Sequence, residues 1–187
     1  MQAHAKSLNE RFRTLISLLF GLAIGCALLF GESRWEMSPL IEESLMLLAC
    51  FMAGIVAFGR IWCSLYIAGY KNNVLVIEGP YSMCRNPLYF FSFIGGIGVA
   101  CATETFTVPL LTALAFGIYY PSIIRKEQER LISLFGDAYR NYCRSVPSFI
   151  PSLSRLKPPP ATYSVNPATF THNIVDALWF IWFIGIF

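Results

Sequence analysis

The chain has 187 residues, 56% of them hydrophobic and only 13% charged, with a formal net charge of +3. Soluble domains carry about 25% charged residues, so this composition excludes an ordinary soluble fold and points to an integral membrane protein. His4 and His172 stand at opposite ends, and the six cysteines form no C-x-x-C pair. These exclude a metal centre, a histidine-based catalytic site and a disulfide framework, and the cysteines read as small buried hydrophobes. The basic residues are not interleaved with aromatics on a polar surface, so no nucleic acid partner is expected.

In chain order, residues 1–13 are polar and basic, and 14–30 form an uncharged run long enough, with its flanks, to cross a hydrocarbon core of about 30 Å. The sequence after it is a poor signal-peptide cleavage site, so the run reads as a retained helix. An acidic loop with Glu32, Glu36, Glu42 and Glu43 leads to a second apolar run, 44–59, which Arg60 interrupts and 61–70 continues. Arg60 either snorkels at a helix end or faces a polar cavity.

The first extended polar region is 71–86, ending in Gly79-Pro80-Tyr81-Ser82-Met83-Cys84-Arg85-Asn86-Pro87-Leu88-Tyr89. Gly79-Pro80 signals a turn, and Pro87 biases Asn86 towards extended backbone before the next apolar run begins. Runs 88–102 and 106–124 are separated only by Thr103-Glu104-Thr105, which makes 87–124 an antiparallel helical hairpin. Gly95, Gly96 and Gly98 in its first arm permit close helix approach.

Residues 125–144 change character. Leu131, Leu134, Phe135, Ala138 and Tyr142 recur at helical spacing among charged residues, giving an amphipathic helix suited to a membrane surface, with a break expected at Gly136. The segment 146–151 is an extended exit, and Lys157-Pro158-Pro159-Pro160 a stiff linker. The last apolar run, 174–187, reads as an interfacial helix, a partial span or a truncated one. The fold expected is all-α: a single polytopic membrane bundle over 1–187, with about four transmembrane helices, cytoplasmic amphipathic helices and a short C-terminal apolar helix. Its parts are N-terminal helices (1–70), a core (71–152) and a linker with the last helix (153–187). Four spans collect nearly all Lys and Arg on one side, which the positive-inside rule makes cytoplasmic.

Two polar stretches, 71–89 and 125–151, thus converge at the cytoplasmic mouth of the hairpin. They offer the carboxylates of Glu127 and Glu129, the guanidinium groups of Arg85, Arg125 and Arg144, the Asn86 amide and the rings of Tyr81 and Tyr89. Arginine takes a carboxylate bidentately, a carboxylate takes an ammonium and an aromatic face attracts a cation, so a zwitterionic ligand with a positive centre suits this set. The residues themselves define no more than a cytosol-facing site for a polar ligand.

Leu75-Val76-x-x-Gly79-Pro80-Tyr81-x-x-x-Arg85-Asn86-Pro87-x-Tyr89 is followed by Glu127-Gln128-x-x-Leu131-x-x-x-Phe135-Gly136-x-x-Tyr139-x-x-Tyr142 and Val146-Pro147-x-Phe149-Ile150-Pro151. These blocks resemble the isoprenylcysteine carboxyl methyltransferase and phospholipid methyltransferase superfamily over about residues 45–152. The resemblance implies an integral-membrane methyltransferase that takes S-adenosylmethionine from the cytosol and a lipophilic or small acceptor from the bilayer. By motif position it implies that Val76, Gly79, Tyr81, Arg85, Asn86, Tyr89 and Glu127 line the cofactor site. Arg144 and 146–151 would close the site and orient the acceptor, with Arg144 and Tyr89 as the catalytic candidates. Tyr89 is either a cation-binding ring or a packing residue at a helix start. Among acceptors a prenylcysteine-type carboxylate is favoured over a phospholipid amine or a small thiol. A non-catalytic adaptor and a nicotinamide-dependent reductase are the further alternatives.

Three positions depart from the family pattern. Asn86 stands where it has histidine, Gln128 replaces the second glutamate, with Glu129 adjacent as a substitute, and Ser148 stands where arginine is common. An amide can hydrogen-bond the cofactor, but it cannot titrate as an imidazole does.

Overall fold

The computed structural model describes residues 39–68, 70, 74–159, 162 and 165–185, so the expected first span at 14–30 lies outside the described residues. The chain divides into two compact units, Met1–Glu42 and Glu43–Phe187. Among the described residues there is no strand. The helices are α1 (Pro39–Ile67), α2 (Pro80–Met83), α3 (Pro87–Cys101), α4 (Thr107–Ser145) and α5 (Pro167–Ile184), with a 3-10 turn at Leu153–Arg155.

Two of these helices, α1 and α4, are long and apolar enough to cross a bilayer. Only 33% and 11% of their most apolar stretches are buried in protein, which separates them from the core helices of a soluble fold. On α1 the large residues Leu40, Leu47, Phe51 and Phe58 recur at helical spacing and face outwards, as do Leu110, Leu114 and Ile118 on α4. Such stripes suit a lipid surround.

The hairpin is present. Pro87 opens α3 at a position where its missing N–H costs nothing, and the turn after it is closed by Thr103 and Glu104 N–H groups donating to Ala100 and Cys101 carbonyls. Helix α3 packs against both α4 and α5. The expected close approach is realised at Gly95, where a Cβ would fall 2.5 Å from the Phe180 ring of α5 and 2.8 Å from Val56 of α1.

Three features differ from the sequence reading. The second hairpin arm and the amphipathic helix are one helix, α4, because the backbone continues through Pro121 without a break. Of the five residues in the expected apolar stripe, Leu131, Phe135 and Tyr142 are buried or half-buried, whereas Leu134 and Ala138 are exposed at the flank. The last helix starts at Pro167, seven residues before the apolar run, because Asn166 accepts a hydrogen bond from the Thr169 N–H and Pro167 follows as a natural first helical residue.

At Gly136 the expected break is a kink inside α4, with φ 54° and ψ −126°. A Cβ there would meet no atom within 4 Å. Gly136→Ala is therefore expected to cost backbone strain alone, about 1–3 kcal/mol, seen as a lowered thermal midpoint in detergent.

Candidate active site

The polar stretches 74–89 and 127–157 are bound together by a ladder of contacts. The Arg85 N–H donates to the Pro147 carbonyl at 2.9 Å, and the Ser152 N–H to Met83 at 3.0 Å. The Asn86 amide donates to the Ser148 carbonyl at 2.9 Å, and the Lys157 N–H to the Ser82 hydroxyl at 2.9 Å. The buried Tyr142 hydroxyl donates to the Tyr81 carbonyl at 2.6 Å. The exit segment thus runs beside the 79–89 loop, and its backbone polar groups are satisfied by that neighbour rather than by regular structure.

Between these stretches and the ends of α1 and α3 lies a cavity of about 330 Å³. Six of the residues singled out by sequence line it: Val76, Tyr81, Arg85, Asn86, Tyr89 and Glu127. Two do not. Gly79 is buried behind the wall, where its positive φ lets the backbone turn against the Tyr66 ring. Arg144 is exposed near the end of α4 and is not among the lining residues.

Buried polar atoms lack partners here. The Tyr81 hydroxyl and the Arg85 Nε are both buried with no hydrogen-bond partner, although the Arg85 Nη1 donates to the Cys143 Sγ at 2.7 Å. Burial pushes the Tyr81 phenol well above its usual range, so it stays neutral and keeps a proton to donate. Leaving a buried donor unpaired costs about 1–3 kcal/mol, so unpaired donors on a cavity wall are the mark of a site that a ligand completes.

Glu127 is not free. It forms a 2.7 Å ion pair with Arg130, which also lines the cavity and which the sequence reading did not single out, although the spacing of three was visible. Glu129 is exposed and absent from the wall, so it does not stand in for Gln128. Gln128 turns the other way. With Arg125, Ser148, Phe149 and the rings of Phe93, Phe116 and Tyr120 it lines a second, mostly apolar cavity of about 490 Å³. Tyr89 and Tyr120, in ring contact at 5.4 Å, belong to one cavity each. Arg60 and Ser92 complete the first cavity from α1 and α3, so the cavity-facing alternative for Arg60 is the one realised. Among the described residues no group of three His, Cys, Asp or Glu is placed to hold a metal ion.

A family model described as phospholipid methyltransferase matches residues 45–138. The chain belongs to the phospholipid methyltransferase family. It is 42% identical over 155 residues to the cobalt-zinc-cadmium resistance protein CzcN of Cupriavidus metallidurans, covering 83% of this chain and 70% of that protein. The nickel-cobalt-cadmium resistance protein NccN of Alcaligenes xylosoxydans xylosoxydans is 39% identical over 155 residues, 83% of this chain and 71% of its own. The protein-S-isoprenylcysteine O-methyltransferase of Schizosaccharomyces pombe is 36% identical over 81 residues, 43% of this chain and 34% of its own. No solved structure matches. In this phospholipid methyltransferase family member the matched region ends at residue 138, while Tyr139 and Tyr142 complete the cavity wall from beyond it and the exit segment is hydrogen-bonded to the 79–89 loop.

Proposed function

We propose that the protein is a membrane methyltransferase that binds S-adenosylmethionine in the 330 Å³ cavity and methylates a lipophilic or small acceptor, with a prenylcysteine-type carboxylate favoured. The observation that carries this reading is the pair of unpartnered buried donors, the Tyr81 hydroxyl and the Arg85 Nε, on the same wall as the Glu127 carboxylate. The donor set fits the cofactor. Arg85 offers its free guanidinium edge to a carboxylate, Glu127 offers an anion to an ammonium, and Tyr81 and Tyr89 present aromatic faces suited to a cation.

When bound, S-adenosylmethionine supplies a methyl group already activated on a sulfonium, which needs no metal. The work left to the chain is alignment and exclusion of water, and well-oriented reactants gain about 7–11 kcal/mol over a bimolecular encounter. Asn86 contributes by tying the start of α3 to Ser148, which holds the wall closed without a group that titrates. Four spans, with this cavity on the cytoplasmic side, complete the proposed topology. The isoprenylcysteine O-methyltransferase relative favours a carboxylate acceptor. The resistance-protein relatives leave a different acceptor as an outcome that mass spectrometry of labelled membrane extracts would reveal.

Calorimetry in nanodiscs tests the reading. Wild-type protein is expected to bind S-adenosylhomocysteine and not NADPH. Glu127→Gln is expected to weaken that binding by about 10-fold, the usual loss for one charge-assisted hydrogen bond. Its thermal midpoint should barely move, because half-exposed ion pairs contribute about 0–1 kcal/mol. Unchanged affinity in the folded variant would remove Glu127 from the site.

A further inference from the structure

Arg60 is the one charged residue of α1 beyond its first turns, which hold Glu42 and Glu43, and sits seven residues before the end of the helix at Ile67, or about 10 Å in along the axis. A charge at such a depth is costly, and in membrane helices it marks a functional site. Its Nη1 donates to the Ser92 hydroxyl of α3, which itself donates to the Leu88 carbonyl at 2.8 Å. Its Cζ lies 5.5 Å from the centre of the Phe180 ring of α5. Neither partner carries a negative charge. The Arg60 Nε is buried and has no hydrogen-bond partner, and among the described residues no carboxylate pairs with it.

The charges of the cavity sharpen the point. Its charged lining residues are Arg60, Arg85, Arg130 and Glu127, and the last two are paired with each other. With Arg85 assigned to the cofactor carboxylate, Arg60 is the cation left over. The cofactor itself carries a sulfonium and an ammonium against a single carboxylate, so the loaded cavity is richer still in positive charge. A second ligand entering it is drawn in as an anion and repelled as an ammonium.

We propose that Arg60 is the residue that binds the anionic group of the methyl acceptor, and so selects a carboxylate over a phospholipid amine in this cavity. This rests on the reading of the cavity as the S-adenosylmethionine site. A guanidinium matches a carboxylate through two parallel N–H donors, and the Nε that lacks a partner provides one of them. A carboxylate needs no proton removed before it reacts, so Arg60 has to hold and orient its partner and not to move a proton. Placed within the span, it would reach a headgroup arriving from the bilayer side of the cavity.

The test compares the carboxylate N-acetyl-S-farnesylcysteine with its carboxamide, using full-length protein in nanodiscs saturated with S-adenosylhomocysteine and reading ligand-induced shifts of the thermal midpoint. Each ligand's own partitioning into the bilayer is the same in every variant, so the change in the carboxylate-minus-amide difference from one variant to the next isolates the contact with Arg60. In wild-type protein the carboxylate is expected to bind about tenfold more tightly than the amide. Arg60→Gln should abolish that preference while leaving S-adenosylhomocysteine affinity within about twofold, which a purely structural role for Arg60 would not do. Arg60→Lys keeps the charge and loses the fork. It guards against a Gln variant that does not fold and should retain a reduced preference. Arg125→Gln, on the other cavity, should leave the preference intact. Equal shifts for the two ligands in wild-type protein, including no shift for either, would overturn the proposal. So would a preference that survives Arg60→Gln or disappears with Arg125→Gln. If wild-type protein fails to bind S-adenosylhomocysteine, the cofactor reading falls instead, and the same ligand comparison run without it still judges Arg60.

Discussion

Arg85→Ala is expected to lower the affinity for S-adenosylhomocysteine by about 100-fold, the largest loss of any single change in the cavity wall. Two features make Arg85 the stronger anchor compared with Glu127. Its guanidinium is held from one side by the Cys143 Sγ, leaving the buried Nε edge already oriented and without a partner. Glu127, by contrast, must divide its oxygens between a ligand and Arg130. Pre-orientation spares the ligand the entropic cost of ordering a long side chain. The fold should survive the change, because the link from this position to the exit segment is the backbone N–H donating to Pro147, which alanine keeps. Arg85→Lys restores charge but not the planar fork, and is expected to fall between the two. Calorimetry on folded variants measures all three, and a loss below about threefold for Arg85→Ala would move the cofactor carboxylate to another residue.

The helices were legible where local signals are strong. Pro87 after Asn86, the three-residue turn at 103–105 and the glycine at 136 each act through backbone rules that do not depend on distant contacts. The continuity of α4 was not legible, because Pro121 removes one hydrogen bond without obliging a long helix to end, and the change from apolar to charged composition looks like a boundary when it is only a change of surroundings. Helical phase decided the site. Before the Gly136 kink Glu127, Leu131 and Phe135 follow steps of four, after it Tyr139 and Tyr142 follow a step of three, and all five share the cavity. Gln128 is one step round and meets the second cavity, and Arg144, two residues past Tyr142, is turned roughly 200° away. A motif identifies which residues matter together but assigns no phase to each. The direction of Arg60 was illegible for a different reason, since it depends on Ser92 and Phe180, residues 32 and 120 positions further along.

Gly79→Ala is expected to destabilise the protein by about 3 kcal/mol or more, well beyond the same change at Gly136. Both glycines have φ 54°, and so share the backbone strain that a side chain would bring. They differ in surroundings. A Cβ at 79 would fall 2.3 Å from the Tyr66 Cζ, and Tyr66 is packed with Cys63 and Tyr81 in a buried cluster that cannot yield cheaply. The difference between the two variants therefore measures overpacking separately from strain, and thermal unfolding in detergent should show Gly79→Ala several degrees lower. Adding Tyr66→Ala to Gly79→Ala should remove the overlap and leave the strain, so the two changes are expected to be less than additive. Function should fall with stability here. The Gly79 carbonyl accepts the Ser82 hydroxyl at 2.7 Å, and that hydroxyl in turn accepts the Lys157 N–H at 2.9 Å, so the turn fixes both the exit linker and the adjoining Tyr81. Shifting it withdraws the Tyr81 hydroxyl from the wall. A Gly79→Ala protein that unfolds earlier yet binds S-adenosylhomocysteine as tightly as wild type would separate the turn from the site.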